Sequence, residues 1–299
     1  MLLKQSFTIN YNYSIFFSEN IFNVQNNILT KVFEGITTPR KILILVEDII
    51  LLKFNNITHD INLYFESNLK NIKIVAINSQ LGGEICKNEP NRVSNIIELV
   101  NLNKVDRHSF IMVIGGGAFI DMVGYAATIS HRGINLIRVP TTILAQNDAA
   151  IGVKNSINYL NKKNFLGTFS TPYAVVNDAI FLTTLDDKDW IAGMAEAVKV
   201  ALIKDKEFFK EIENSANKLI IRDLQAMKNQ IFKCADLHLQ HIRSKDPFER
   251  GSSRPLDYGH WSAHKLEQLS GFELRHGEDR KSTRLNSSHS TLSRMPSSA

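Results

Sequence analysis

Three histidines near the end of the chain are the first residues whose types and spacing suggest chemistry. The stretch from 256 to 278, LDYGHWSAHKLEQLSGFELRHGE, contains His260, His264 and His276. His260 and His264 are four residues apart, so on a helix both imidazoles would share one face, a spacing typical of shared metal sites. An acid/base relay or a polar helix face would give the same spacing. Spacing alone therefore leaves open which of these it is, and which two histidines would bind a metal.

A second candidate is the pair Glu196 and Lys199, three residues apart on one face of a helix predicted from about 190 to 204. Such a pair is usually a surface ion pair. The neighbouring Gly193 and Met194 are small or apolar, which indicates that Glu196 points into packed surroundings. A carboxylate in such surroundings needs a cation.

Three glycines at 115–117 follow a predicted strand and precede a predicted helix. Such a turn lets a pyrophosphate approach exposed N–H groups at the positive end of a helix dipole. The segment departs from the GxGxxG pattern because Ile120 occupies the last glycine position, so a plain tight turn is the alternative. Asp121, one turn later, is more often a helix N-terminal carboxylate than a ligand contact.

Side chains suited to phosphate oxygens are concentrated between 139 and 172, in VPTTILAQNDAAIGVKNSINYLNKKNFLGTFSTP. Lysine provides a compact positive charge and asparagine provides hydrogen-bond donors. A solvated loop after an edge strand is the alternative. The residues concerned are Thr141, Thr142, Asp148, Lys154, Asn158, Lys162, Lys163 and Asn164.

Hydrophobic patterns indicate the elements that would position these residues. Apolar, β-branched runs at 41–48, 71–78, 109–117 and 133–140 alternate with helical patterns, which predicts a parallel sheet covered by helices. After about residue 183 only helical spacing remains, with further helices predicted at 223–244 and 258–270. The sequence therefore predicts an α/β domain with a Rossmann-like, mostly parallel sheet at 1–182, followed by an all-α domain at 183–278.

Composition narrows the class of protein. The 299 residues are 43% hydrophobic and 22% charged, which is typical of a globular protein, and no apolar run approaches the roughly 18 to 20 residues that span a bilayer. Residues 1–20 lack the pattern of a secretory signal, so we expect a cytoplasmic protein with no membrane role. Cys86 and Cys234 are too few for a disulfide framework and are expected to be buried small side chains.

The final segment, 279–299, differs from everything before it. DRKSTRLNSSHSTLSRMPSSA has no apolar period, is rich in serine, and resembles a translated sequencing-library adapter, so we expect a disordered, non-native tail. Its four basic residues and one aspartate contribute +3 of the chain's net charge of +5. The remaining charge is small and forms no basic stripe with interleaved aromatics, so no nucleic-acid partner is expected.

Several of these motifs together resemble a known family. GGGAFIDMVGYAAT, HRGINLIRVPTTILAQNDAAIGVKNSIN, KKNFLGTFSTP, AGMAEAVKVA, DPFERGSSRPLDYGHWSAHKLE and LRHGE occur in order over most of 40–278. They are similar to the sugar phosphate cyclases, of which 3-dehydroquinate synthase is the best-known member. The resemblance implies a dehydroquinate synthase-like fold and a homodimer.

The resemblance also implies a cofactor, a metal and a set of site residues. Zn²⁺, with Co²⁺ as a possible substitute, would be held by Glu196, His260 and His276, while His264 stays off the metal. Glu47 stands where the family has an aspartate for the ribose hydroxyls, so NAD is expected rather than NADP. The NAD contacts would be Glu47, Glu84, Lys87, Gly116, Gly117, Asp121, Thr141, Thr142, Lys163 and Thr184. The catalytic residues would be Asp148, Lys154, Lys199 and His264, and the substrate contacts Arg132 from a neighbouring subunit, Asn164 and Asp257.

The implied reaction is that of a phosphorus-oxygen lyase which forms a carbocycle and returns its own cofactor. A secondary alcohol polarised by zinc loses a hydride to NAD, and the resulting ketone acidifies the adjacent C–H so that phosphate leaves by β-elimination. NADH then reduces the ketone, and ring opening with an intramolecular aldol closure gives the carbocycle.

Departures from the family pattern bear on the substrate. In the dehydroquinate synthases a lysine and an arginine bind the carboxylate of the substrate. Counted back from His260 without gaps, their positions in this sequence hold Leu239 and Ser253. Asp257 replaces an asparagine, as in cyclases of sedoheptulose 7-phosphate. We therefore expect a substrate similar to sedoheptulose 7-phosphate and a divergent branch that includes the EboD-type proteins, although Arg254, His238 or His241 could compensate.

Three alternatives remain open at this point: 3-dehydroquinate synthase itself, a metal- and NAD-dependent polyol or glycerol phosphate dehydrogenase of similar architecture, and an inactive fragment that only binds nucleotide. The family also continues with further helices and a phosphate-binding lysine after the HGE motif. The chain is therefore expected to be C-terminally truncated.

Overall fold

The computed structural model describes residues 2–243 and Phe248. The predictions that involve Asp257, His260, His264 and His276, the helix at 258–270 and the tail at 279–299 lie outside the described residues. Within the described part, no helix is both long and apolar enough to cross a membrane.

The chain forms two compact units. One runs to Thr141 and also includes Ala149–Ile180, and the other comprises Thr142–Asp148 and the chain from Phe181 onward. The short segment Thr142–Asp148 therefore belongs to the second unit although both of its neighbours belong to the first.

The strands are β1 (Ser14–Ser18), β2 (Arg40–Glu47), β3 (Ile72–Gln80), β4 (Phe110–Gly115), β5 (Asn135–Pro140), β6 (Lys154–Tyr159), β7 (Lys162–Phe169) and β8 (Ala174–Asp178). The helices are α1 (Ile28–Val32), α2 (Asp48–Lys53), α3 (Ile57–Asn68), α4 (Pro90–Leu102), α5 (Gly117–Ile129), α6 (Asp187–Lys204), α7 (Lys206–Ile220) and α8 (Leu224–Ile242). Shorter helical turns occupy Glu84–Asn88, Ser130–Arg132, Ala145–Ala149 and Ala179–Thr184.

Six strands of the first unit form one parallel sheet in the order β1-β8-β5-β4-β2-β3. Every residue of β4 and β8 is buried, as are the last six of β2. Such continuous apolar runs are what a parallel sheet needs when both of its faces are covered. The predicted Rossmann-like sheet followed by helices is confirmed, and the four predicted strands correspond to β2, β3, β4 and β5.

The path of the chain across the sheet changes direction between β2 and β4. The chain passes from β2 outward to β3, then returns to the other side of β2 and continues through β4, β5 and β8. In open parallel sheets, ligands bind beyond the carboxyl ends of the strands at such a switch point. Here those ends are Glu47 and Gly115.

The polar stretch after β5 forms a hairpin instead of the loop considered from the sequence. β6 and β7 pair antiparallel, and only Leu160 and Asn161 separate them. Both of these residues have positive φ, 51° and 57°, as a type I′ turn requires. In addition β5 is an interior strand, between β8 and β4, so the stretch does not follow a sheet edge.

The second unit is helical where it is described. Asp186, Asp205 and Asp223 cap the N-termini of α6, α7 and α8 by accepting hydrogen bonds from backbone N–H groups of the first turns. Trp190 of α6 is buried and donates from Nε1 to the carbonyl of Leu219 at 2.8 Å. The apolar cluster around it comprises Ile143, Leu182, Leu219, Met227 and Ile231.

Candidate functional site

Glu47 connects the two glycine turns at the switch point of the sheet. Its Oε2 accepts a hydrogen bond from the N–H of Gly116 at 2.6 Å, and its Oε1 accepts one from Gly83 at 2.9 Å. The backbone approaches this carboxylate so closely that a Cβ on Gly82 would lie 1.8 Å from Oε1, and one on Gly115 would lie 2.8 Å from Oε2. Glycine is therefore required at 82 and 115 by packing.

The turn around Gly116 has the form expected of a phosphate-binding turn. β4 ends at Gly115, Gly116 is the N-cap residue, and α5 begins at Gly117. No side chain caps this N-terminus. The first N–H groups of α5, at the positive end of the helix dipole, are what a nucleotide phosphate would contact. Thr141, at the carboxyl end of the neighbouring strand β5, lies beside this turn, because its N–H donates to the carbonyl of Gly115 at 3.0 Å.

Lys87 is hydrogen-bonded to three polar side chains, two of which, Asp121 and Asn164, are predicted site residues. Its side chain is only 3% exposed, and Nζ donates to Oδ2 of Asp121 at 2.7 Å, to Oδ1 of Asn164 at 2.5 Å and to Oγ of Ser156 at 3.1 Å. Burial raises the pKa of Asp121, and the charge of Lys87 opposes that rise. The ammonium group of Lys87 thereby connects the turn after β3 to the first turn of α5 and to the β6–β7 hairpin.

A second polar contact connects the same hairpin to the same turn. Asn158 donates from Nδ2 to Oε1 of Glu84 at 3.2 Å, and Nζ of Lys163 lies 3.6 Å from that oxygen. Asn158 also accepts from the N–H of Asn164 at 2.8 Å, which holds Asn164 at a φ of +54°. The predicted cofactor residues Glu84 and Lys163 are thus neighbours in the first unit.

A second group of predicted residues converges in the helical unit, on three separate segments. Asp148 lies in the π-helical turn Ala145–Ala149, Glu196 and Lys199 lie on α6, and His238 lies on α8. Glu196 and Lys199 are each 1% exposed and His238 is 6% exposed. Glu196 and Lys199 are therefore not a surface pair, which settles the alternative left open by their spacing.

The distances within this group are short. Nζ of Lys199 lies 2.6 Å from Oε1 of Glu196, and Nε2 of His238 lies 3.1 Å from the same oxygen. Nδ1 of His238 lies 3.6 Å from Oδ1 of Asp148. Two carboxylates and one imidazole, with ligand atoms that all lie within 4.8 Å of one another, form a donor set that suits a divalent ion.

Close packing fixes the turn that carries Asp148 against α6. A Cβ on Gly193 would lie 2.5 Å from Cβ of Ile143, and Nδ2 of Asn147 donates to the carbonyl of Gly193 at 3.3 Å. The glycine at 193 therefore permits the close approach that brings the turn next to Glu196.

The remaining predicted residues have simpler surroundings. Thr142 begins the turn before Asp148, where its carbonyl accepts from the N–H of Gln146. Thr184 donates from Oγ1 to the carbonyl of Phe181 at 3.1 Å. Lys154 begins β6 and is exposed, and Arg132 is exposed at a positive φ of 63°.

Two polar residues of these groups, Ser156 and His238, carried little signal in the sequence. In the second half of β6, Ser156 and Asn158 alternate with Ile157 and Tyr159, which is a strand signal that the polar stretch concealed. His238 appeared only as a possible replacement for a missing cation. Its position on α8, four residues after buried Cys234 and eight after buried Gln230, marks it as part of the inward face.

Comparisons with known proteins agree with this arrangement. Residues 78–192 match the family described as 3-dehydroquinate synthase N-terminal, and residues 193–279 match 3-dehydroquinate synthase C-terminal. The chain belongs to the 3-dehydroquinate synthase family. Together the two matches cover about two thirds of its length.

The chain is similar to curated relatives in sequence and to solved structures in fold. The 3-dehydroquinate synthase of Campylobacter fetus subsp. fetus is 38% identical over 187 residues, which are 62% of this chain and 53% of that protein. The 2-epi-5-epi-valiolone synthase ValA from Streptomyces hygroscopicus subsp. jinggangensis 5008, solved with NAD⁺ and Zn²⁺ bound, has a TM-score of 0.82 and 24% identity, over 93% of this chain and 74% of that one. A 2-deoxy-scyllo-inosose synthase, complexed with carbaglucose-6-phosphate, NAD⁺ and Co²⁺, has a TM-score of 0.74 and 26% identity, over 89% and 70% of the two chains.

The chain spans about half the length of the first of these relatives. The family matches and the solved structures establish the fold for the described residues. Because the chain covers only part of its relatives, the activity of the whole protein is a proposal.

Proposed function

We propose that this member of the 3-dehydroquinate synthase family is an NAD- and metal-dependent sugar phosphate cyclase, a phosphorus-oxygen lyase. Its substrate would be a phosphorylated ketose similar to sedoheptulose 7-phosphate, which it converts to a carbocycle with release of inorganic phosphate. The observation that carries the proposal is the convergence of Asp148, Glu196, Lys199 and His238 in a chain of this family.

Binding of NAD is supported by the switch point of the sheet. The glycine turn at 115–117 presents the N-terminus of α5, and Glu47 lies beside it at the end of β2. A carboxylate at that position suits ribose hydroxyls. Glu84, Lys87, Asp121 and Lys163 lie on the turn, helix and hairpin around it. NAD⁺ is bound in both of the cyclase structures compared.

Binding of a divalent ion is supported by the donor set on the second unit. Glu196 is a buried carboxylate with Asp148 and His238 beside it, and the sequence adds His260 and His276, which lie outside the described residues. When bound, NAD would supply a reversible hydride acceptor and the ion a Lewis acid for a substrate oxygen.

The chain's own side chains would position the substrate and move protons. Lys199 holds a positive charge in a buried position, where it can stabilise negative charge on a substrate oxygen more strongly than it could in water. Lys154 and Asn164 provide a cation and an amide on the hairpin, groups suited to phosphate oxygens. Asp148 is a half-buried carboxylate able to accept a proton. We assign to His264 a catalytic role near the phosphate of the substrate or on a proton-transfer path, the two positions that the resemblance implies, and to Asp257 a substrate contact.

A second candidate, 3-dehydroquinate synthesis, is favoured by the names of the curated relatives. The residues at the expected carboxylate contacts, Leu239 and Ser253, argue against it because a substrate carboxylate in a partly desolvated site needs cations. On α8 the side chain beside Glu196 is His238 and not Leu239. His238, His241 and Arg254 are the candidates for a compensating contact with a substrate carboxylate.

One experiment separates these activities. The protein is incubated with sedoheptulose 7-phosphate, or with the carboxylated substrate of 3-dehydroquinate synthase, in the presence of Zn²⁺ and a trace of NAD. Phosphate release and a carbocyclic product detected by mass spectrometry from the first sugar support the proposal. Turnover of only the carboxylated substrate would establish 3-dehydroquinate synthesis. Steady accumulation of NADH without phosphate would indicate a polyol or glycerol phosphate dehydrogenase.

Two variants test the assignment of residues. Glu196→Ala should abolish both metal retention and turnover, whereas His264→Ala should keep the metal and slow turnover. Metal content of the purified variants is the measurement, and unchanged zinc in Glu196→Ala would refute the ligand assignment.

We also propose a homodimer in which exposed Arg132 reaches the substrate of the neighbouring subunit. In that case an inactive Arg132→Ala protein should regain partial activity when mixed with an inactive Lys199→Ala protein.

A further inference from the structure

The side-chain amide of Asn164 is held in one orientation by two donors. Its Oδ1 accepts from Nζ of Lys87 at 2.5 Å and from Oγ of Ser156 at 3.0 Å. An ammonium group has no lone pair and can only donate, so the amide atom next to Lys87 must be the oxygen. Both lone pairs of that oxygen are then in use. The nitrogen Nδ2 consequently lies on the side of the amide away from Lys87.

Ser156 provides the second donor, although the family resemblance gave this residue no role. Its hydroxyl oxygen accepts from Nζ of Lys87 at 3.1 Å, which leaves its single proton for an acceptor. Oδ1 of Asn164 at 3.0 Å is a closer acceptor than Oδ2 of Asp121 at 3.4 Å. Ser156 is buried, so water competes little for this proton. The hydroxyl therefore fixes the amide of Asn164 together with Lys87.

The backbone of Asn164 is held by a separate contact. Its N–H donates to Oδ1 of Asn158 at 2.8 Å, and its φ of +54° lies in the left-handed region, which asparagine adopts more readily than most residues. Asn158 is itself buried and donates from Nδ2 to Oδ1 of Asn88 at 2.8 Å. Contacts within the chain thus position both the main chain and the amide of Asn164.

The arrangement leaves one strong donor available to a ligand. Nδ2 of Asn164 has no hydrogen-bond partner among the residues that the structure describes, and the residue is exposed. The ammonium group on Oδ1 polarises the amide and strengthens its N–H groups as donors. Lys154 lies two residues before Ser156 on β6, and residues two apart in a strand share a face, so a cation lies on the same face of β6 as Ser156. A polarised N–H donor near a cation suits a phosphate oxygen.

We propose that Ser156 is a positioning residue which, together with Lys87, orients Asn164 so that Nδ2 donates to the phosphate group of the substrate. The inference rests on the proposed function, in which the substrate is a sugar phosphate, and gives Ser156 a role in it. The opposite orientation, with Oδ1 toward the ligand, would suit a hydroxyl group and not an anion. Replacement of Nδ2 by an oxygen therefore distinguishes the two orientations.

Binding of inorganic phosphate to the NAD-loaded 299-residue protein tests the orientation, because NAD then occupies the glycine turn. Broadening of the ³¹P NMR signal is the measurement. Asn164→Ala should weaken binding by about 10-fold, the value of a hydrogen bond to a charged group. Asn164→Asp keeps an oxygen for Lys87 and Ser156 but replaces Nδ2 by a negatively charged atom, so it should bind phosphate more weakly still. Equal or tighter binding by Asn164→Asp than by Asn164→Ala would overturn the inference, as would absence of binding to the wild-type protein.

Variants of the hydroxyl test the role of Ser156. Ser156→Ala removes one of the two donors to Oδ1 and should lower the phosphate affinity by roughly 2- to 12-fold, the value of one hydrogen bond, and Ser156→Thr should recover most of it. Thr168→Val is the matched control because Oγ1 of Thr168, on the neighbouring strand β7, is buried and has no hydrogen-bond partner in the described part of the chain. Its phosphate affinity should be unchanged. An unaltered affinity in Ser156→Ala, or equal losses in Ser156→Ala and Thr168→Val, would refute the positioning role.

Two results separate failure of this inference from failure of the proposed function. If Asn164→Asp binds phosphate as well as the wild-type protein does, while the wild-type protein converts sedoheptulose 7-phosphate to a carbocycle, the orientation of Asn164 is wrong and the cyclase stands. If phosphate binding falls as expected in the variants but no sugar phosphate gives a carbocycle, the proposed function is wrong and the oriented Asn164 stands as an anion contact.

Discussion

Oδ1 of Asn155 accepts a hydrogen bond from Nη2 of Arg138 at 2.7 Å, and the same oxygen lies 1.9 Å from where a Cβ on residue 124 would stand. Arg138 also donates from Nη1 to the carbonyls of Ala150 and Gly152, at 2.8 and 2.7 Å. Burial lowers the pKa of Arg138 to about 10, so its guanidinium is charged at neutral pH. One buried cation thereby fixes the start of the β6–β7 hairpin, and this packing requires glycine at position 124 of α5.

The first prediction concerns Gly124→Ala. Alanine normally stabilises a helix by about 1 kcal/mol relative to glycine. At Gly124 the added methyl would collide with Asn155, so we expect a net loss of about 1–3 kcal/mol in the free energy of unfolding, as for other overpacked sites. Urea denaturation is the measurement. In an Asn155→Ala background the same substitution should cost less, and additive losses in this double-mutant cycle would contradict the collision.

The second prediction concerns Glu47, which accepts hydrogen bonds from the N–H groups of Gly83 and Gly116. In Glu47→Gln one of these N–H groups would face an NH₂ group and lose its acceptor. We expect a loss of about 1–3 kcal/mol of stability, the cost of a buried donor left unsatisfied, and weaker binding of NAD. Thermal melting with and without NAD measures both effects.

Asp48→Asn is the control for Glu47→Gln. Asp48 is the next residue, and its Oδ1 accepts from the neighbouring N–H of Ile49 in an exposed contact. Its replacement should leave the NAD-induced rise in Tm unchanged. An equal loss in the two variants would show that the glycine turns do not depend on the carboxylate of Glu47.

Local patterns in the sequence were sufficient to predict the centre of the sheet. KILILVED and SFIMVIGGG are continuous apolar runs of strand length, and interior parallel strands have this composition because both faces are covered. The strands SIFFS and AVVND were not predicted because each has only five residues and lies next to other apolar segments. The β6–β7 hairpin was missed because its turn, Leu160–Asn161, contains no glycine.

The candidate site was predictable only as separate parts. Spacing placed Glu196 and Lys199 on one helix face, but no local pattern shows that His238, 42 residues later, contacts Glu196. The count back from His260 without gaps pointed to the neighbouring residue, Leu239. Adjacent residues of a helix point about 100° apart, so Leu239 lies on another face of α8 than His238.

The third prediction concerns Lys87, whose ammonium group binds Asp121, Ser156 and Asn164. Lys87→Met would keep much of the side-chain volume but leave Asp121 without its cation. We expect a loss of about 2 kcal/mol or more, somewhat below the range for a fully buried pair because Asp121 is 19% exposed. Urea denaturation measures it. Exposed Lys162 lies over the ring of Phe165, so Lys162→Met should cost no more than about 1 kcal/mol, and equal losses in the two variants would refute a structural role of Lys87.

The fourth prediction concerns the thiols of Cys86 and Cys234, both buried and both free. Burial raises the pKa of Cys86 to about 12, with a further contribution from the negative charge of Glu47. Burial also raises the pKa of Cys234, and the charge of Asp148 adds to that rise. Since the thiolate is the reactive form, both groups should be inert at pH 8, where they are protonated. Ellman's reagent should detect no thiol in the native protein and two per chain in guanidinium chloride. A rapid reaction of one thiol under native conditions would show that its surroundings open in solution, and Cys86→Ser and Cys234→Ser would identify which one.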